Sequence, residues 1–230
     1  MFILSIISSF FISKKKKYTT DSKYFRFLLY ACAKIVIFVA RFRCRVTGLE
    51  KIPTDSRFLL VENHRGNFDP ILTWNIINKT KNPNANLTFI SKPENFNYPV
   101  FGKIIHRCCF MPIDRSNARS SVRTLMEAAD YIKNDQFSVC VYPEGTRNKT
   151  KEPLVEFHDG LFKIAQMANV PIVIATVKKT ENFMKNFPFK RTVVDFDVLD
   201  VMDANTVKEM KSHEIGDYVR KVMISNLTSN

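Results

Sequence analysis

The sequence contains no C-x-x-C pair among its five cysteines, Cys32, Cys44, Cys108, Cys109 and Cys140. An odd number without paired spacing argues against a disulfide framework and fits buried thiols in a reducing compartment. His106, Cys108 and Cys109 sit close together, but their spacing follows no usual zinc pattern, so no metal is expected. A G-x-S-x-G string is also missing, which leaves no nucleophile elbow on which an acyl-enzyme would form. No apolar run reaches the ~20 uninterrupted residues that a clean membrane-spanning helix needs. No internal repeat is apparent. Acidic residues are in short supply, 22 against 35 Lys and Arg, for a net charge of +13. With 45% hydrophobic and 25% charged residues, the 230-residue chain is otherwise ordinary for a folded protein with a substantial core.

The excess positive charge is concentrated at one end. Residues 1–50 carry ten basic side chains against two acidic ones, +8, and the remaining 180 residues carry +5. The basic cluster Lys14–Lys17 directly follows MFILSIISSFFI, and a second apolar stretch, 25–40, is interrupted by Lys34. A secretory signal places its charge before the apolar run, the reverse of this order. Basic residues beside apolar sequence suit an anionic membrane surface, each Lys or Arg contributing about 1 kcal/mol near it. The competing reading is a solubilising charge run. The apolar neighbours favour one or two helices lying in a leaflet, with residues 14–17 on the cytoplasmic side of the cell membrane. Stretch 25–40 is also compatible with a helix packed on the protein's own core. Residues 1–42 therefore read as a membrane-associating segment and residues 43–230 as a catalytic domain.

Beyond residue 42 the pattern is α/β. Short β-rich runs are predicted at 42–46, 57–62, 86–91, 108–113, 136–142, 171–177 and 191–198. Helices are predicted over 70–79, 117–133, 158–168 and 204–227 from apolar residues at helical spacing. Asp69-Pro70 reads as an N-cap followed by proline in the first turn. Strands alternating with helices imply a mixed, mostly parallel sheet covered on both faces. Stretches 82–86 and 148–153 read as loops.

Three constellations carry chemistry. In the first, Asn63-His64-Arg65-Gly66-Asn67-Phe68-Asp69-Pro70 follows the apolar run 57–62. A histidine and a carboxylate five residues apart do not share a helical face. They meet if a strand ends at the histidine and a helix begins at the aspartate; the carboxylate then holds one ring nitrogen's proton while the other nitrogen takes a proton from a hydroxyl. Equally open at this level is an Asp69 that caps a helix and a His64 that fills a turn. In the second, Tyr142-Pro143-Glu144-Gly145-Thr146-Arg147 ends another apolar strand. Arg147 offers a fork of donors for a phosphate, Gly145 permits close backbone approach, and Glu144 either orients the arginine or accepts a substrate hydroxyl. An ordinary turn with a surface ion pair is the alternative. In the third, Ile113-Asp114-Arg115 ends a strand at the edge where open α/β sheets bind ligands, or else forms a solvated salt bridge.

Taken together and in order, these strings resemble the glycerol-phosphate and lysophosphatidate acyltransferase family over about residues 46–176. His64 and Asp69 match its H-x4-D signature, and Ile113-Asp114-Arg115 its arginine motif. Pro143-Glu144-Gly145-Thr146-Arg147 matches its most distinctive string. The segments Val46-Thr47-Gly48-Leu49-Glu50-Lys51-Ile52-Pro53, Ser91-Lys92-Pro93-Glu94 and Val170-Pro171-Ile172-Val173 resemble its flanking blocks. Gly66 stands where the family often has serine, Tyr142 where phenylalanine is common and Asn148 where serine is common; none of these departures removes a reactive group. The resemblance implies transfer of an acyl chain from acyl-CoA or acyl-carrier protein to the sn-2 hydroxyl of lysophosphatidate, without any further cofactor. It implies His64 as general base and Asp69 as its orienter. Arg115 and Arg147, with Lys92, would hold the acceptor's phosphate, Glu144 would position an arginine or the glycerol, and a backbone N–H of Gly145 or Thr146 would face the oxyanion. Glycerol 3-phosphate or another lysophospholipid is the rival acceptor, and a non-catalytic lipid-binding protein is the rival class. Nucleic acid is not an expected partner, because the basic excess lies beside apolar sequence without an aromatic-basic strip.

Overall fold

The computed structural model describes residues 1–229. Helices α1 (Phe2–Ser9) and α2 (Lys23–Val39) come first, followed by strands β1 (Phe42–Thr47) and β2 (Leu59–Glu62), helix α3 (Asp69–Asn78) and strand β3 (Leu87–Ser91). Then come α4 (Phe101–Arg107), β4 (Met111–Pro112), α5 (Ala118–Lys133), β5 (Ser138–Val141), α6 (Lys163–Ala168) and β6 (Ile172–Lys178). The chain closes with the short α7 (Phe183–Asn186), the long β7 (Thr192–Met202), α8 (Ala204–Glu209) and α9 (Ser212–Thr228).

The seven strands form one sheet in the order β1-β7-β6-β2-β5-β3-β4, parallel throughout except for the β6–β7 pair. This is the mixed, mostly parallel sheet expected from the sequence. Strands β2 and β5 are buried on both faces, which is why they read as unbroken apolar runs. Alternate residues serve opposite cores, as the two-residue period of a strand requires. Leu59 and Val61 pack with Ala128, Ile132, Ile164 and Val219 from α5, α6 and α9. Phe58 and Leu60 pack on the other side with Leu29, Leu72, Ile76 and Ile104 from α2, α3 and α4.

Several predicted boundaries move. The predicted strand 108–113 shrinks to Met111–Pro112, because Cys108 closes α4 and Cys109 takes a left-handed φ of 59°. Helix α4 lies directly before that stretch, where no element was predicted. The predicted helix 204–227 divides into α8 and α9 at Met210 and Lys211, both of extended backbone. Tertiary contact supports the break: Gln166 Nε2 donates to the carbonyls of Val207 (3.2 Å) and Met210 (2.7 Å), two of those that α8 leaves unpaired at its end. Asn117 caps α5 by accepting from Ser120 N–H at 3.0 Å.

The N-terminal segment is fastened to the domain. Arg26 is buried and donates from Nη1 to Leu87 O at 2.7 Å, and Arg107 donates to Thr20 O at 2.9 Å. Helix α2 buries Leu28, Leu29 and Ala33, so this second apolar stretch packs on the core along one side. In α1 the usual pattern is inverted. Its buried residues are Ser5, Ser8 and Ser9, while Phe2, Ile3, Ile6 and Ile7 face outward. The serines turn toward α2, Ser8 Oγ lying 2.6 Å from Tyr24 Oη and Ser5 Oγ 3.4 Å from Cys32 Sγ. No helix among the described residues is long and apolar enough to cross a membrane.

Candidate active site

Register brings the motifs to one edge. Parallel pairing aligns Val61 of β2 with Val141 of β5, so His64 and Glu144, each three residues further on, emerge side by side. Strand β3 lies next to β5 and delivers Lys92; β4 pairs Ser91 with Pro112 and delivers Arg115. All the predicted site residues therefore leave the sheet at the carboxyl ends of four neighbouring strands, where open α/β sheets place their ligands.

His64 Nδ1 lies 2.8 Å from Asp69 Oδ2. Asp69 is fully buried, and the same oxygen accepts the backbone N–H groups of Arg65 (2.7 Å) and Gly66 (2.8 Å). This corrects the reading of Asp69 as an N-cap: α3 begins at Asp69 itself, Phe68 is its N-cap, and the carboxylate points back into the turn. Three contacts on that one oxygen fix the carboxylate in the turn. With Nδ1 so engaged, Nε2 is the nitrogen left to face a substrate. The ring's side chain is 18% exposed and stacks on Tyr142 with centroids 4.3 Å apart.

The backbone of His64 is fixed as firmly as its ring. Its N–H donates to Glu144 Oε1 at 2.7 Å, and its carbonyl accepts from Asn148 N–H at 2.7 Å. One residue earlier, the Asn63 side chain continues the β2–β6 pairing by exchanging two bonds with Val177, at 3.0 and 2.8 Å. Glu144 is buried, and its second oxygen accepts Val155 N–H at 3.1 Å. The structure thus places Glu144 beneath His64, and among the described residues it forms no ion pair with Arg115 or Arg147, the first of the two partners, arginine or glycerol, expected for it. Burial raises the Glu144 carboxyl above its ordinary range, and the two backbone donors oppose that rise.

Gly145 adopts φ 65°, and a Cβ there would lie 2.5 Å from a ring carbon of His158 and 3.4 Å from Arg115 Cζ. Arg115 and His158 thus meet over this glycine, and His158 is a neighbour that the motifs gave no reason to name. The Gly145 N–H donates to Tyr142 O at 2.9 Å, which leaves Thr146, on the exposed side of the turn, as the one of the two without such a bond. Among the described residues none of Lys92, Arg115 and Arg147 is in an ion pair, so three cations stand at this edge without a carboxylate partner. Burial lowers the Arg115 pKa, with the Glu94 charge opposing. Gly66 faces Thr180: a Cβ would lie 2.8 Å from Thr180 Oγ1 and 3.2 Å from Asp69 Oδ1, so a larger residue requires Thr180 to move.

The residues match the Acyltransferase family over positions 43–178. The chain belongs to that family. A probable 1-acyl-sn-glycerol-3-phosphate acyltransferase of Mycoplasma pneumoniae is 28% identical over 191 residues, covering 81% of this chain and 69% of that protein. The 1-acyl-sn-glycerol-3-phosphate acyltransferase of Escherichia coli is 26% identical over 175 residues, 74% of this chain and 69% of that protein. The crystal structure of the 1-acyl-sn-glycerophosphate acyltransferase of Thermotoga maritima shares the fold, with a TM-score of 0.72 and 22% identity over 97% of this chain and 86% of that one.

This acyltransferase also has a buried acid that the sequence reading passed over. Glu62 ends β2 with no exposed surface; its Oε2 accepts the Thr73 hydroxyl at 2.6 Å, and its Oε1 has no partner. Burial, and then the Asp69 charge, hold its carboxyl well above the usual range. Burial and the Glu62 charge likewise push the Tyr142 phenol up. A carboxyl whose folded-state pKa is raised keeps more protons in the native state, so its contribution is intact at low pH and is lost as pH climbs through the raised value. We expect Glu62→Gln, which keeps the shape without the titration, to gain stability over wild type as pH rises from 5 to 8. Thermal melts across that range check it; parallel curves for the two proteins would contradict it.

Proposed function

We propose that this family member makes phosphatidate, transferring an acyl chain from a thioester to the sn-2 hydroxyl of lysophosphatidate. The observation that carries the reading is the His64–Asp69 pair, with Asp69 sealed beneath the turn and Nε2 left free. The relatives named for the same reaction support it. In this mechanism Nε2 takes the hydroxyl proton as the oxygen attacks the thioester carbonyl. The tetrahedral intermediate then expels the thiolate, and the imidazolium returns its proton to the leaving sulfur. Asp69 holds the ring and balances its transient charge. Thr146 N–H is suited to the developing oxyanion, and Lys92, Arg115 and Arg147 to the acceptor's phosphate. Glu144 acts through the His64 backbone, as a positioning residue.

The acceptor is drawn from a membrane in this reading. An α1 that turns its serines inward and its Phe and Ile outward has the character of a helix lying in an interface, with the basic residues 14–17 against anionic headgroups on the cytoplasmic face.

The test offers labelled lysophosphatidate, glycerol 3-phosphate and lysophosphatidylcholine in mixed micelles, each with acyl-CoA and with acyl-carrier protein. Phosphatidate from lysophosphatidate with at least one donor is expected. Acylation of another acceptor in its place would overturn the substrate assignment.

A further inference from the structure

We propose that the segment 183–190 is a second membrane-docking surface, built into the catalytic domain and fitted to an anionic phospholipid bilayer. The inference rests on the reading that the acceptor comes from a membrane. It concerns a part of the chain remote in sequence from α1.

The segment joins β6 to β7 and is divided by side-chain direction. Phe183 turns inward, its ring 4.6 Å from Phe68 and 5.4 Å from Phe42. Met184 and Phe189 turn outward, 80% and 87% exposed, while Phe187 leans on Phe183 with ring centroids 5.2 Å apart and leaves 41% of its surface open. The end of α2 extends the patch. Phe38 is 83% exposed there, and just beyond it Arg41 Nη1 donates to Pro188 O at 2.9 Å. Large apolar side chains grouped on a surface mark an interaction site more often than chance exposure does.

The charge among them selects the occupant. Lys185, Lys190 and Arg191 are exposed in and beside the segment, and no acidic residue lies between positions 183 and 191. The core of a protein–protein interface is depleted in lysine, whereas aromatic residues interleaved with lysine and arginine match the acyl and phosphate layers of an anionic bilayer. The position has a use. Phe68, beneath which Phe183 packs, directly precedes Asp69, and Thr180 abuts Gly66 in the same turn. Docking here holds the His64–Asp69 turn at headgroup depth, where a lysolipid presents its free hydroxyl without leaving the bilayer.

The test uses the full chain without substrate, so that it is read apart from catalysis. The one native tryptophan, Trp74, is buried and serves as a constant background to Phe189→Trp. On addition of phosphatidylglycerol vesicles the Phe189→Trp emission is expected to shift to the blue and to be quenched by brominated lipid; phosphatidylcholine vesicles give less. The double variant Met184→Ser/Phe189→Ser, changed only at exposed positions, is expected to keep the wild-type melting curve and bind those vesicles at least about tenfold more weakly, the loss of one buried apolar side chain or more. A Phe189→Trp emission that stays unshifted while the chain sediments with vesicles would overturn the proposal, since binding would then run through α1 alone. A shift produced by acyl-carrier protein and not by vesicles would overturn it too. Neither result bears on which acceptor is acylated.

Discussion

Replacing Asp69 by asparagine lowers the rate of acyl transfer by about 10²–10⁴-fold while leaving the fold in place. Asp69 Oδ2 receives three donors, the His64 ring and two backbone amides. An asparagine oxygen in that position still accepts from them, so the turn survives. The charge is lost, and none remains to balance the imidazolium that forms as the substrate hydroxyl gives up its proton. Turning the amide over is no alternative, because its NH2 would face the Arg65 and Gly66 N–H groups. The loss should fall on kcat more than on KM, because the interaction is strongest once the proton has moved. Steady-state kinetics beside a thermal melt separate this from misfolding. A variant within a few-fold of wild type would return Asp69 to a structural role.

Glu144→Ala damages both stability and activity. The side chain is buried and accepts from two backbone amides, of His64 and Val155. Alanine leaves those donors without a partner, at about 1–3 kcal/mol each if water cannot reach them. For a chain of this size a loss of about 3 kcal/mol lowers Tm by roughly 6–12 °C. Activity falls as well, because the backbone that aims the imidazole loses its anchor. If Glu144 instead gripped an arginine or the glycerol, the variant would bind substrate poorly and melt like wild type. A melting curve set beside KM therefore separates the two roles.

What the sequence disclosed and what it withheld follow a physical line. Strands β2, β5 and β6 were legible because both their faces are buried, so apolar residues dominate them. Helix α5 was legible from its apolar spacing and from Asn117. Helix α4 was not: its seven residues carry too short an apolar pattern to stand out beside the run 108–113 that read as a strand, and the left-handed turn at Cys109 separates the two elements. In the site, the pairing of His64 with Asp69 was readable from their spacing as one of two options. The decision between cap and orienter depends on how residues 65–68 turn. The place of Glu144 under His64 was not readable, because its neighbours in sequence are glycine, threonine and arginine and only the Val61–Val141 register brings it there. Glu62 left one small signal, an acidic residue closing an otherwise apolar run.

Family membership places the molecule among acyltransferases, but the proposed mechanism stands or falls on one histidine. Labelled phosphatidate formed from lysophosphatidate and an acyl thioester should be measured for wild type and His64→Ala, with matched melting curves. Product is expected from the wild type and at least about a hundredfold less from the variant, the scale on which general-base catalysis contributes. Equal rates from two equally folded proteins would show that His64 only fills its turn, and the mechanism proposed for this site would be wrong.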